Sequence, residues 1–214
     1  MPAHPPTSLQ TLLRQTELWR GSEHALRASN PDAHSPGLAT GYAALDASLP
    51  WGGWPANALV EIMTPLWGNG ELQLVLPLLR RISQEGLPAL WIAPPCIPYA
   101  PALAAAGVDI ARMIIVTPTA QNLLWSMEKA LQNPASSLVL GWPARLNGKH
   151  LRRLQLAAVT GQTLGILFHQ RNIAHSASVL RLSAHAEEDM LAVTVLKARG
   201  SHQQARLLLP RQWP

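Results

Sequence analysis

Residues 64–72 lie where a chain of this pattern is expected to bind phosphate. The apolar run Leu59–Met63 leads into the loop Thr-Pro-Leu-Trp-Gly-Asn-Gly and then a helical pattern. In nucleotide-binding proteins such a loop cradles phosphate oxygens on backbone N–H groups, a Lys neutralises them and a Ser or Thr binds Mg²⁺. Here Glu71 and Leu72 replace the Lys and the Ser/Thr. A carboxylate repels a triphosphate and leucine cannot bind magnesium, so we predict that this loop does not bind ATP in the usual way.

Other chemistry-bearing residues show no catalytic spacing. The eight His are scattered, and none is paired with a supporting Cys or carboxylate at the spacing of a metal site. Cys96, the single cysteine, lies among prolines and is interpreted as a small apolar residue. We therefore expect no catalytic residues, no metal and no cofactor, and a protein that works by binding.

The loop belongs to a chain in which short apolar runs alternate with helical patterns. The predicted strands are Leu59–Met63, Ala89–Ala93, Met113–Thr117, Ser137–Gly141 and Thr163–Phe168. The predicted helices are about Gly70–Glu85, Pro101–Ala106, Thr119–Leu131 and Asn147–Thr160. This alternation predicts an α/β fold with a parallel sheet covered on both faces. The last strands, Ser178–Ala184, Leu191–Arg199 and Ala205–Pro210, are predicted to add an antiparallel edge.

Three segments are predicted along the chain. Residues 1–35 form an N-terminal helix and linker, because Leu9, Leu12, Leu13 and Trp19 recur at helical spacing. Residues 36–200 form the α/β core, and residues 201–214 form an edge strand and a basic tail. The N-terminus lacks the apolar run of a signal peptide, and no stretch approaches the ~20 apolar residues of a membrane span. We therefore expect a cytoplasmic location, with which the single cysteine agrees.

Charge is distributed unevenly along the chain. Residues 1–128 contain six Lys/Arg and nine Asp/Glu, whereas residues 129–214 contain eleven and three. Arg145, Lys149, Arg152 and Arg153 cluster around the start of one predicted helix, where positive charge opposes the helix dipole. Such asymmetry favours an anionic partner, and these residues are a candidate patch for it. A solvated basic face is the alternative.

Short segments in order along residues 8–200 resemble the core of the RecA recombinase. They are Ala39–Asp46, Gly52–Pro55, Val60–Ile62 with Pro65, Gly107–Ile110, Phe168–Arg171 and Val195–Arg199. The resemblance implies a RecA-like core that has lost its ATPase residues. The catalytic glutamate of RecA would fall near Pro94 and Pro95, and its magnesium-binding aspartate near Gly141. The phosphate-sensing glutamine survives as Gln170.

Within RecA-like proteins the chain resembles ImuA, and the longer segment Ala39–Pro55 favours ImuA over the related SulA family. The ImuA resemblance implies a non-catalytic pseudo-ATPase adaptor in DNA repair, namely SOS-induced translesion synthesis and mutagenesis. Its implied partners are RecA, the polymerase homologue ImuB and the error-prone polymerase of the same cassette. The loops after Trp142 and Gln170 are too short for DNA binding as in RecA. The alternative is a SulA-like inhibitor of cell division that binds FtsZ.

Candidate partner-binding residues lie near both ends of the chain. Lys197 and Arg199 match RecA residues that reach the neighbouring subunit's ATP, which implies a one-sided cap on a RecA filament. The alternative is that they keep an edge strand unpaired. The N-terminal helix is a candidate docking helix for RecA or ImuB, or it packs on its own core. The basic tail adds Arg206, Arg211 and Trp213, of which Trp213 is a candidate exposed anchor.

Overall fold

The computed structural model describes residues 36–171, 173–201 and 204–211. In these residues the strands are β1 (Leu59–Met63), β2 (Ala89–Ile92), β3 (Met113–Val116), β4 (Leu138–Gly141), β5 (Leu164–His169), β6 (Leu180–Glu187), β7 (Met190–Ala198) and β8 (Arg206–Pro210). The α-helices are α1 (Ala43–Ser48), α2 (Glu71–Gln84), α3 (Ala100–Ala105), α4 (Leu123–Gln132) and α5 (Gly148–Gly161), with a 3₁₀ turn at Ile110–Arg112.

The eight described strands form one sheet in the order β3-β2-β4-β5-β1-β6-β7-β8. The strands from β3 to β6 pair in parallel, with β1 in the middle between β5 and β6. β7 and β8 pair antiparallel at the C-terminal edge. The predicted mixed α/β sheet, mostly parallel with antiparallel edge strands, is therefore confirmed.

Helices on both faces explain why the central strands are continuous apolar runs. Along β1, Val60 and Ile62 join the core beneath α2, whereas Leu59 joins the core beneath α4 and α5. On β3 the prediction of a strand covered on both faces is wrong, since Ile114 and Ile115 are about half exposed. The apolar run correctly predicted a strand, but its place at the sheet edge depends on long-range pairing.

Segment 37–55, which carried part of the resemblance to RecA, is built into the core. Trp54 is fully buried, and Leu38 and Trp54 pair in an isolated β-bridge. Tyr42 donates its hydroxyl hydrogen to the carbonyl of Gln73 on α2 at 2.9 Å. A Cβ at Gly53 would lie 2.3 Å from the carbonyl oxygen of Leu38, so only glycine fits there. The buried side chains and the close backbone contact at Gly53 therefore explain the residue types in this segment.

Some predicted residues lie outside the described residues, namely Leu9, Leu12, Leu13 and Trp19 of the N-terminal helix and Trp213 of the tail. Their proposed docking roles therefore stay predictions. Within the described part of the chain, no helix combines the length and the apolar character needed to cross a membrane.

Candidate functional site at the carboxyl edge of the sheet

The loop between β1 and α2 is closed by its own carboxylate. Glu71, the first residue of α2, is buried and accepts a hydrogen bond from the backbone N–H of Gly68 at 2.7 Å. Backbone N–H groups of such a loop are the donors that would otherwise hold a phosphate oxygen. The sequence predicted repulsion of phosphate; the structure adds that Glu71 takes up one of the loop's donors.

We expect Glu71→Ala to lower the free energy of unfolding by about 1 kcal/mol, since the Gly68 N–H loses its acceptor. Urea unfolding of the purified protein would measure the change. Glu85→Ala is the matched control, because Glu85 ends the same helix as an exposed partner of Arg81 and should change stability by less than about 0.5 kcal/mol. Equal stabilities of the two variants would contradict a structural role for the Glu71–Gly68 bond.

The positions predicted for the other ATPase residues also lack the required space or chemistry. A Cβ on Gly141, at the end of β4, would lie 2.8 Å from Met127 Cε and 3.0 Å from Leu167 Cδ2. An aspartate therefore does not fit there without displacing the core. Pro94 and Pro95, after β2, line an apolar cavity.

This apolar cavity has a volume of about 270 Å³ and lies between the β1–α2 loop, the segment after β2 and α3. Its floor is aromatic: the ring of Trp142 stacks on Trp91 at 5.4 Å and on Phe168 at 4.8 Å between centroids. Trp142 is buried and fills part of the space at this edge of the sheet. An open cavity nevertheless remains, so the site is only partly filled.

Exposed apolar side chains surround the mouth of the cavity. Trp67, Ile97 and Tyr99 line it, and Leu66 precedes Trp67 in the loop. The exposed fractions are 91% for Ile97, 72% for Tyr99, 66% for Leu66 and 36% for Trp67. We call these four residues the apolar rim. A group of large exposed apolar side chains beside a cavity is typical of a binding surface.

A second cavity, of about 470 Å³, adjoins the apolar rim through Trp67, which lines both. We call it the basic cavity, because its described lining residues include Arg145 after β4 and Arg171 after β5 but no Asp or Glu. His169 and Gln170, at the end of β5, also line it. Gln170, predicted as a surviving phosphate sensor, thus faces a cavity bounded by arginines.

Behind the basic cavity lies a buried carboxylate. Glu61, on β1, has its Oε2 2.8 Å from Nε2 of His169 and its Oε1 3.2 Å from Nε of Arg181. It also accepts hydrogen bonds from the hydroxyls of Ser176 and Ser178. Burial alone would raise the pKa of Glu61, but these hydrogen bonds and the charge of Arg181 together lower its pKa below the ordinary value. Glu61 is therefore an internal anion that joins β1, β5 and β6 to the loop before β6.

The position of Lys197 differs from that predicted for a filament cap. Its Nζ donates hydrogen bonds to the carbonyl oxygens of Ser176 and Ser178, both at 2.8 Å. Burial, followed by the charge of Arg199, lowers the pKa of Lys197. The ammonium group thus stabilises the loop before β6, whereas Arg199 is exposed at the end of β7.

The predicted anionic-partner patch divides into two surfaces. Arg145 lines the basic cavity, whereas Lys149, Arg152 and Arg153 lie on α5 beside a shallow groove next to α4. All three are exposed, and Arg153 pairs with Glu128 on α4, whereas Lys149 and Arg152 have no ion pair among the described residues. The division arises because α5 begins only at Gly148, so Arg145 stays in the preceding loop.

The basic residues near the C-terminus have local partners. Arg206, on β8, pairs with Glu187 on β6. Arg211 donates to the carbonyl oxygen of Glu188 at 3.5 Å, and it lines a small cavity beside Glu71. Arg206 therefore lies at the antiparallel edge of the sheet, whereas Arg211 also borders the start of α2.

Sequence reasoning missed several residues of this site. Leu66, Ile97 and Tyr99 were not selected, although each is a large apolar residue in a segment rich in Pro or Gly, which is an available signal. Arg171 was noted only as part of a strand end. Among the described residues, no group of three His, Cys, Asp or Glu side chains is arranged to hold a metal ion.

The fold and site define an α/β protein in which the loop after β1 is closed by its own glutamate and the sheet edge presents an apolar rim. The family model "Cell division inhibitor SulA" matches residues 68–165. The chain is 30% identical over 122 residues to the cell division inhibitor SulA of Photorhabdus laumondii, covering 56% of this chain and 67% of that protein. This chain belongs to the SulA family.

Two further relatives carry the same name. Identity is 33% over 95 residues to SulA of Edwardsiella piscicida and 32% over 104 residues to SulA of Serratia marcescens. These matches cover 44% and 48% of this chain, and 56% and 62% of the relatives. The chain thus spans less than two thirds of either relative.

These relatives overturn the interpretation based on ImuA. The expected adaptor role in DNA repair and translesion synthesis, its description as a pseudo-ATPase, and the expected partners RecA, ImuB and the error-prone polymerase are wrong. The prediction of a one-sided cap on a RecA filament is therefore wrong as well. The segment Ala39–Pro55 was used to favour ImuA over SulA, but it lies outside the residues that the family model matches. Its packing role explains its presence without that assignment.

Proposed function

We propose that this protein inhibits cell division by binding FtsZ, as the SulA resemblance implies, and that it acts without catalysis. The observation that carries the proposal is the family match over residues 68–165, which contains Gly68, Glu71 and two of the four residues of the apolar rim, Ile97 and Tyr99. The occupied Gly68 N–H and the crowded Gly141 support a role independent of nucleotide. We also interpret the parallel sheet, with its loop after the central strand β1, as a RecA-like core.

The proposed contact surface is the apolar rim. Burying a large apolar side chain stabilises a complex by roughly 1.5–3 kcal/mol, and a few central residues usually dominate binding. Ile97 and Tyr99 are the most exposed large apolar side chains at the site. Docking through the apolar rim would place FtsZ over the mouth of the apolar cavity. The surface of FtsZ in this contact would then be covered.

The test combines a cell-based and a purified assay. Overproduction of the full chain is expected to yield filamentous cells, and the purified chain is expected to reduce GTP-driven FtsZ polymerisation measured by sedimentation. Inhibition by binding should rise with the molar ratio of this protein to FtsZ and then saturate, with no dependence on added ATP. Normal cell length together with unchanged polymerisation at excess protein would reject the proposal.

A further inference from the structure

We propose that the basic cavity receives an acidic side chain of the partner protein, while neighbouring apolar side chains of that partner cover the apolar rim. The inference rests on the proposed function, because it specifies a contact of the same interface. In this contact, Arg145 and Arg171 bind the carboxylate of the acidic side chain.

The two arginines are available for such a contact. Both are exposed, and neither forms an ion pair or hydrogen bond with another residue in the described ranges. They come from loops after neighbouring parallel strands, β4 and β5, whose carboxyl ends meet at one sheet edge. A guanidinium group is planar and binds a carboxylate through two parallel N–H···O bonds, so two of them around one cavity favour an acidic ligand.

The wall of the cavity includes a buried histidine. His169 is 4% exposed, and its Nε2 lies 2.8 Å from Oε2 of Glu61, so its ring is fixed by the core behind the cavity. Pro143, Leu146 and Ile173 complete the lining with apolar surface, which suits the methylene groups of an acidic side chain.

The surroundings of the basic cavity favour a protein carboxylate over a free phosphate. Trp67 lines both cavities, so the basic cavity is continuous with the apolar rim. An apolar centre flanked by charged groups is the usual organisation of a protein–protein interface.

The test measures the affinity of the purified full chain for FtsZ at low and high salt. Arg145→Ala with Arg171→Ala should weaken binding by roughly tenfold for each guanidinium–carboxylate pair that is removed, and it should reduce the salt dependence. The matched control is Lys149→Ala with Arg152→Ala, which removes the same charge from the α5 surface and should leave affinity within about twofold. Thermal unfolding of both variants verifies that they fold.

The outcomes separate this inference from the proposed function. If the wild-type chain does not bind FtsZ, the proposed function fails. If it binds and the arginine variant binds equally well, or if only the α5 variant loses affinity, the inference is overturned and the proposed function stands. Titration with inorganic phosphate is a separate arm. Saturable phosphate binding that needs both arginines and does not compete with FtsZ would assign the cavity to a small anion instead.

Discussion

Ile97→Asp is expected to abolish inhibition of FtsZ polymerisation and filamentation, with affinity reduced by at least roughly 100-fold. The side chain is 91% exposed at the mouth of the apolar cavity, which is the largest exposed fraction in the apolar rim. Aspartate would remove that contact and would also require a charge to be desolvated at the centre of the proposed interface. Sedimentation of FtsZ with the purified variant measures the effect directly.

The folded chain should tolerate this change. Substitutions at well-exposed positions usually alter stability by less than about 0.5 kcal/mol, so an inactive variant would report on the interface. Leu156→Asp is the matched control, because Leu156 is a 59% exposed apolar residue on α5 and lies outside both cavities. Full inhibition by the Ile97 variant, or an equal defect in the Leu156 variant, would remove the apolar rim as the contact surface.

The second large effect is expected on folding. Glu61→Gln should lower the free energy of unfolding at neutral pH by about 3–5 kcal/mol, because it removes the negative charge from a buried ion pair. The residues affected are Arg181, whose side chain is 12% exposed, and His169, which lies against the carboxylate. Urea unfolding at pH 7 measures the difference between the variant and the wild type.

The pH dependence gives an independent check on Glu61. Its pKa in the folded chain lies below the ordinary value of 4.5, so its stabilising effect is complete above that pH and is lost as the pH falls through the folded value. The stability difference between wild type and Glu61→Gln should therefore shrink below about pH 4.5. Glu187→Gln, at a half-exposed ion pair, is the control and should change stability by less than about 1 kcal/mol. A Glu61 variant as stable as the wild type would show that the buried pair contributes nothing net.

The sequence predicted the order and type of the eight described strands and of helices α2 to α5, because their signals are local, but it did not predict the short helix α1. β1 has the predicted bounds, and α5 begins and ends within one residue of the prediction, since apolar periodicity and the Asn147 cap act over a few residues. The start of α4 was predicted too early: residues 120–122 form a turn, and the helix begins at Leu123. Strand order could not be predicted, because pairing joins residues far apart in the chain.

The family assignment shows a different limit. The resemblance correctly indicated a group of related proteins that includes SulA. Within that group, the segment Ala39–Pro55 was taken to favour ImuA over SulA, and that choice was wrong. That segment contributes buried side chains such as Trp54 and a close backbone contact at Gly53. Residues retained for packing do not identify a partner, and they could not separate two families with a common core.

The sequence by itself led to the prediction that phosphate chemistry is missing, because the residue types of Glu71, Leu72 and Gly141 do not suit the roles of Lys, Thr and Asp. Only the tertiary structure decided what replaces it. Glu71 turns back onto its own loop, and Arg145 and Arg171 line one cavity together with Trp67. The physical reason is that parallel strands gather their carboxyl ends at one edge of the sheet, so loops distant in sequence form one surface there. No local pattern of residues specifies that convergence.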